Sequence, residues 1–155
     1  MLKAVLCTLA IVGTIADASA QSAPQQLRLV TEDVGKFPAA VQCGLSKPSM
    51  ESSVRSAMRY NRVAETQELG TPIIYTLATP LILSRGLCVV SYRLEISRYQ
   101  YGDIGGPARI YGSMVFCSKG GVMTGDSVDM RTRLNDALKT AFDDCLSEIA
   151  ESVEK

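Results

Sequence analysis

The sequence predicts an α+β fold, a two-layer sandwich in which two helices cover one face of an antiparallel three-stranded meander, in the order α-β-β-β-α. Two observations carry this prediction. Residues 87–118 contain two β-rich apolar runs joined by a glycine-rich turn at 101–107, and residues 127–153 have the apolar period of a long amphipathic helix. The remaining segments are expected to cover or extend the hairpin.

The first run of the hairpin alternates with the period of a strand that has one buried and one wet face. Its apolar positions are Val90, Tyr92, Leu94 and Ile96, and its polar positions are Ser91, Arg93, Glu95 and Ser97. Residues 71–83 form the preceding strand. Pro80 removes a ladder donor there, so this strand is expected to lie at an edge of the sheet or to bend.

Two segments have the period of a helix. The first opens at Pro48, with Ser46 or Ser49 as its N-cap. Its apolar face is predicted to comprise Met50, Val54, Ala57 and Met58. The second is the long C-terminal amphipathic helix, residues 127–153, and its apolar stripe is predicted to comprise Val128, Leu134, Leu138, Ala141, Phe142, Cys145, Ile149 and Val153.

The first 20 residues have the pattern of a secretory signal peptide. Lys3 precedes an apolar run of about a dozen residues, too short for a membrane anchor, and Ala18-Ser19-Ala20 offers the small residues of a cleavage site. We therefore expect cleavage after Ala20 and a periplasmic or secreted product with no transmembrane segment. Residues 21–155 are expected to form a single domain, with a loosely ordered start at 21–36.

Four cysteines remain after that cleavage, and an even number in an exported chain predicts two disulfides. Zinc is the rival interpretation, but the chain has no Cys-x-x-Cys spacing and no histidine. In the predicted hairpin Cys88 and Cys117 share one end of the sheet, which leaves Cys43 for Cys145. Strict alternation puts Cys117 out of phase, so this pairing requires a β-bulge, which we place at Gly112.

Charge and residue content exclude several functions. The chain has 16 basic and 16 acidic residues, which argues against nucleic acid as a partner. Gly125-Asp126-Ser127 resembles a serine nucleophile block, but without histidine it has no usual general base, and a helix cap explains it. A glycosidase needs two carboxylates, and Glu95 and Asp103 are candidates only because they are acidic, so this class is disfavoured. We predict no catalytic residues, no metal and no cofactor.

What remains is a surface rich in tyrosine and arginine at one end of the hairpin, and these two residue types often carry binding energy. The predicted binding residues are Arg93, Arg98, Tyr99, Tyr101, Arg109 and Tyr111. The sequence thus favours a non-catalytic envelope or secreted protein that binds a protein partner in the cell envelope. The alternatives are a small extracytoplasmic enzyme of unrecognised type, or an inhibitory or accessory subunit of an envelope assembly.

Overall fold

The computed structural model describes residues 24–84, 86–103 and 109–153. In chain order, its strands and α-helices are β1 (Gln26–Thr31), α1 (Pro38–Gln42), α2 (Lys47–Tyr60), β2 (Ala64–Glu65), β3 (Ile73–Ser84), β4 (Leu87–Asp103), β5 (Arg109–Asp126) and α3 (Ser127–Val153). The predicted signal peptide and its cleavage site lie outside the described residues, as do residues 104–107 of the predicted turn.

The strands form one sheet in the order β2-β1-β3-β4-β5. The predicted meander is confirmed, because β3, β4 and β5 pair antiparallel in sequence order. Two strands are added to it, and β1 runs parallel to both β2 and β3. The fold is therefore α+β as predicted, with a five-stranded mixed sheet in place of the expected three strands.

Within residues 21–36, the segment expected to start loosely, the structure has regular elements from Gln26 onward. β1 lies between two strands, and a single helical turn follows it at Val34–Lys36. Leu27 and Val34 are fully buried in the core. Residues 27–30 are apolar enough to suggest a short strand, and pairing with β3, more than 40 residues later in the chain, satisfies the backbone of β1.

The helices cover one face of the sheet, and their packing follows the predicted stripes. All four predicted apolar residues of α2 are buried, and Ser46 caps this helix by accepting a hydrogen bond from the Ser49 N–H. In α3 the buried side chains include Leu134, Leu138 and Phe142. Val128 was wrongly assigned to the stripe: it is 86 % exposed, and Met130 is buried instead. The side chain of Val153 is outside the described part.

The predicted disulfide pairing was wrong. The bonds join Cys43 to Cys88 and Cys117 to Cys145. The error lies in the end of β5, because this strand does not stop at Cys117 but continues to Asp126. Cys88 therefore lies opposite Gly125, whereas Cys117 lies opposite Ile96, well inside the sheet. Because α3 runs back along β5, Cys145 lies next to Cys117.

Gly120 and Gly121 lie beyond the end of the predicted second run, yet both belong to β5, and packing explains why they are glycines. A Cβ atom on Gly120 would lie 2.5 Å from the carbonyl oxygen of Tyr92, and one on Gly121 would meet the Tyr92 ring at 3.3 Å. Glycine is thus the residue that lets β4 and β5 approach here.

The β-bulge is not at Gly112, as predicted, because Gly112 pairs regularly with Gln100. Ile96 pairs with Cys117 and Ser97 with Val115, so Phe116 is the extra residue.

Candidate binding surface at the end of the β4–β5 hairpin

The β4–β5 hairpin extends beyond the rest of the sheet. The first residue of β3, Ile73, pairs with Ser97, so beyond this point β5 is the strand of the described chain that pairs with β4. We call this two-stranded part, residues 98–103 and 109–114, the ribbon. Its six residue pairs span about 20 Å.

Helix α3 ends before the ribbon does. At the level of the Cys117–Cys145 disulfide, eight helical residues remain, which rise about 12 Å, whereas the eight β5 residues from Cys117 to Arg109 rise about 27 Å. The ribbon therefore projects roughly 15 Å past the helix that covers the rest of the hairpin.

Three tyrosines lie together on one face of the ribbon. Tyr101 pairs directly with Tyr111, and their ring centroids are 4.9 Å apart. The Tyr99 ring stacks on Tyr111 at 5.8 Å with an angle of 20° between the planes. All three remain open to solvent, at 49 %, 70 % and 59 % exposure for Tyr99, Tyr101 and Tyr111. Ring contacts of this kind orient the side chains and leave their hydroxyls free to bind.

The opposite face of the ribbon and its base are also apolar. Ile110 and Met114 are exposed there, and the Gln100 amide contacts the Met114 sulfur at 3.1 Å. Val115 and Phe116, at the bulge, are exposed as well. A large side chain carries roughly 150–250 Å² of surface, so the three tyrosines, about half exposed, leave roughly 300 Å² in water on one face, and these four leave roughly 400 Å² on the opposite face and the base. Exposed patches of a few hundred Å² on soluble proteins are often functional.

Five of the six predicted binding residues lie in the ribbon, and four of them share one face. Arg109 is on the face of the three tyrosines, whereas Arg98 pairs with Met114 and lies on the opposite face; both arginines are exposed. Arg93 lies eight residues before Tyr101 on the same strand, about 27 Å away. It forms an ion pair with Glu95, and its Nε donates to the Ser118 hydroxyl at 3.1 Å. Arg93 is therefore not part of this surface.

Ser97 was expected on the wet face, but it is 2 % exposed. Its neighbours across the two adjacent strands are Ile73 and Val115, whose side chains point to the same face and cover it. Sequence reasoning also missed Ile110, Met114, Val115 and Phe116. A signal was present, since residues 110–118 contain no charged residue and are apolar in both phases of a strand.

A polar network lies away from the ribbon, at the end of β1. The Tyr75 hydroxyl donates to Glu32 at 2.8 Å, and Lys36 pairs with the same carboxylate at 2.6 Å. Burial and the bond to Glu32 raise the pKa of Tyr75 to about 12, while Lys36 and Tyr75 lower the pKa of Glu32. Both shifts hold these groups in their usual neutral-pH forms, so the network ties β1 to β3 and supplies no acid or base poised near pH 7.

Comparison with known proteins adds the following. No protein-family model matches the chain, and no curated protein matches it in sequence. Among solved structures, it is similar to rare lipoprotein B from Shewanella oneidensis, at 15 % identity and a TM-score of 0.36, over 82 % of this chain and 95 % of that one. It is also similar to a minor lipoprotein from Acinetobacter baumannii, at 15 % identity and a TM-score of 0.31, over 85 % and 92 %. Likenesses this distant carry no conclusion about function.

The described residues contain no group of three or more His, Cys, Asp or Glu side chains placed to hold a metal ion. None of the helices in that part of the chain combines the length and the apolar character needed to cross a bilayer.

Proposed function

We propose that this chain is an exported, disulfide-stabilised, non-catalytic protein of the cell envelope or the secreted fraction, and that it binds a protein partner through the ribbon. One observation carries the proposal: the ribbon exposes apolar side chains on both faces beyond the end of α3. A two-stranded hairpin is marginally stable in water by itself, so this projecting and apolar ribbon is best explained by a partner that covers it.

The proposed location has two supports. The first 20 residues have the signal-peptide pattern, and all four cysteines in the described part of the chain are paired in disulfides. Disulfides persist in oxidising compartments and are rare in the cytoplasm. N-terminal sequencing of the exported protein tests this proposal directly: a product that begins at Gln21 supports it, and one that begins at Met1 contradicts it.

Within the ribbon, the tyrosine cluster is the proposed anchor. The three rings orient each other, so little conformational entropy is lost when a partner covers them. Arg98 and Arg109 lie at opposite ends of the ribbon and provide charged groups at the rim of the surface. Tyrosine and arginine together are the residue types most often found at the energetic centre of protein interfaces.

The test is affinity capture from an extract of the organism's own envelope, with the protein as bait. The variant Tyr99→Ala/Tyr101→Ala/Tyr111→Ala is compared with Tyr60→Ala, which removes a similarly exposed tyrosine from the end of α2. An anchor is worth about 2 kcal/mol or more, so the triple variant is expected to recover at least about 30-fold less of the partner, while Tyr60→Ala recovers as much as the wild type.

Equal recovery by both variants would remove the tyrosines from the binding site. The proposal as a whole would fail if no partner were captured and the purified protein turned over substrates in a broad hydrolase screen. Hydrogen exchange on a purified complex provides the second measurement, in which the ribbon amides are expected to be protected on binding.

A further inference from the structure

The two edges of the sheet are protected to very different degrees. The β2 edge is two residues long, and Glu65 in it is held by Arg55 at 2.8 Å. The β5 edge is 18 residues long, and no strand of the described part of the chain pairs with its outer side. Short strands, charges and prolines are the usual means by which proteins prevent an edge from pairing with another chain.

The ribbon portion of β5 lacks those protections. The charged residues nearest to it in the strand are Arg109 and Lys119, and residues 110–118 contain neither a charge nor a proline. The bulge at Phe116 interrupts the ladder, which leaves 109–115 as a regular run. This run has the chemistry of a strand that accepts another strand.

We propose that a second copy of this chain pairs antiparallel with this edge, about a two-fold axis at Ser113. In that register Tyr111 lies opposite Val115 of the second copy, an aromatic and β-branched pair of the kind that stabilises neighbouring strands. Gly112 lies opposite Met114 of the second copy, and the missing side chain leaves room for the long one. The edge is therefore complementary to itself, as a two-fold interface requires.

The pairing would use the backbone groups of the β5 edge and would leave the faces of the ribbon exposed. Edge pairing continues the sheet and leaves its open face accessible, so the tyrosine clusters of the two copies would lie side by side. The dimer is independent of the proposed binding function, and it would present that surface twice.

The test uses the full exported protein, with its disulfides intact, in sedimentation-velocity experiments over a range of concentrations. The wild type is expected to sediment as a dimer at high concentration. Ser113→Lys and Ser113→Asp each place like charges directly opposite one another at the axis, so each alone is expected to be monomeric. An equimolar mixture of the two variants places opposite charges there and is expected to restore the dimer.

Val122→Lys is the matched control. Val122 is an exposed residue of the same strand, on the far side of the bulge, so this variant is expected to dimerise like the wild type. Circular dichroism establishes that each variant is folded before it is compared. A monomeric wild type overturns the proposal, as do dimers that tolerate both Ser113 substitutions or a mixture that stays monomeric. Of these results, a monomeric wild type would favour pairing of this edge with a strand of a different protein.

Discussion

The two halves of the β4–β5 hairpin form one continuous ladder, but they are stabilised differently. In the half that lies under α3, Leu94 and Ile96 are fully buried and Cys117 is bonded to the helix. In the ribbon, beyond Ser97, the two strands pair only with each other among the described residues, and most of their length exceeds the remaining rise of α3. The comparison teaches that strand alternation predicts which residues share a face, whereas the length of the covering helix decides how far along the strand the helix-facing side is buried.

The largest loss of stability is expected from a substitution in the core beneath α3. Phe142 is fully buried against the sheet, so Phe142→Ala should lower the free energy of unfolding by about 3–5 kcal/mol through lost burial and a residual cavity. Urea unfolding followed by circular dichroism measures it. A loss below about 1 kcal/mol would mean that α3 is not packed on the sheet in this way.

The next effect concerns the bond that marks the boundary between the halves. Cys117→Ala/Cys145→Ala should lower the free energy of unfolding by about 2–4 kcal/mol. Without the bond, the unfolded chain regains the conformational entropy of a loop closed over 28 residues. Calorimetry of this double variant, with Cys43→Ala/Cys88→Ala for comparison, provides the measurement. Unreduced peptide maps should join Cys43 to Cys88 in the first variant, and a wild-type map that joins Cys88 to Cys117 would refute the described fold.

The smallest stability effect is expected in the ribbon. Tyr101 is 70 % exposed and packs mainly on Tyr111, so Tyr101→Ala should change the free energy of unfolding by less than about 1 kcal/mol. The same urea titration as for Phe142→Ala allows a direct comparison. If the tyrosine substitution were as costly as the phenylalanine one, the ribbon would be part of the folding core and the distinction between the two halves would fail.

Much of the architecture was predictable because it is encoded locally. The alternation from Val90 to Ile96 and the period of α2 each reflect the geometry of a single element, so the residue types suffice. The tyrosine cluster was found for the same reason, since Tyr99 and Tyr101 share a phase within one strand. The apolar residues of β5 at the ribbon were missed because residues 110–118 are apolar in both phases of a strand, so alternation does not separate a buried face from an exposed one there.

The errors have a common cause, which is that glycine and polar residues were interpreted from local preference. Gly120 and Gly121 suggest a strand end, yet the close approach of Tyr92 across the sheet makes glycine necessary there. Arg93 belongs to the same alternation as the tyrosines, but the length of β4 places it about 27 Å from them. A local sequence pattern does not encode how far the neighbouring elements extend along a strand.

The sequence by itself determined the class of the fold, the order of the three antiparallel strands and the long C-terminal helix, since periodicity and short connections are local properties. The tertiary structure decided the parallel pairing of β1 with β3, the partners of the four cysteines and the exposure of the ribbon. Each of these depends on where two distant segments meet. Burial and backbone hydrogen bonding in the assembled sheet select that meeting point, and the sequence pattern of either segment alone is compatible with several.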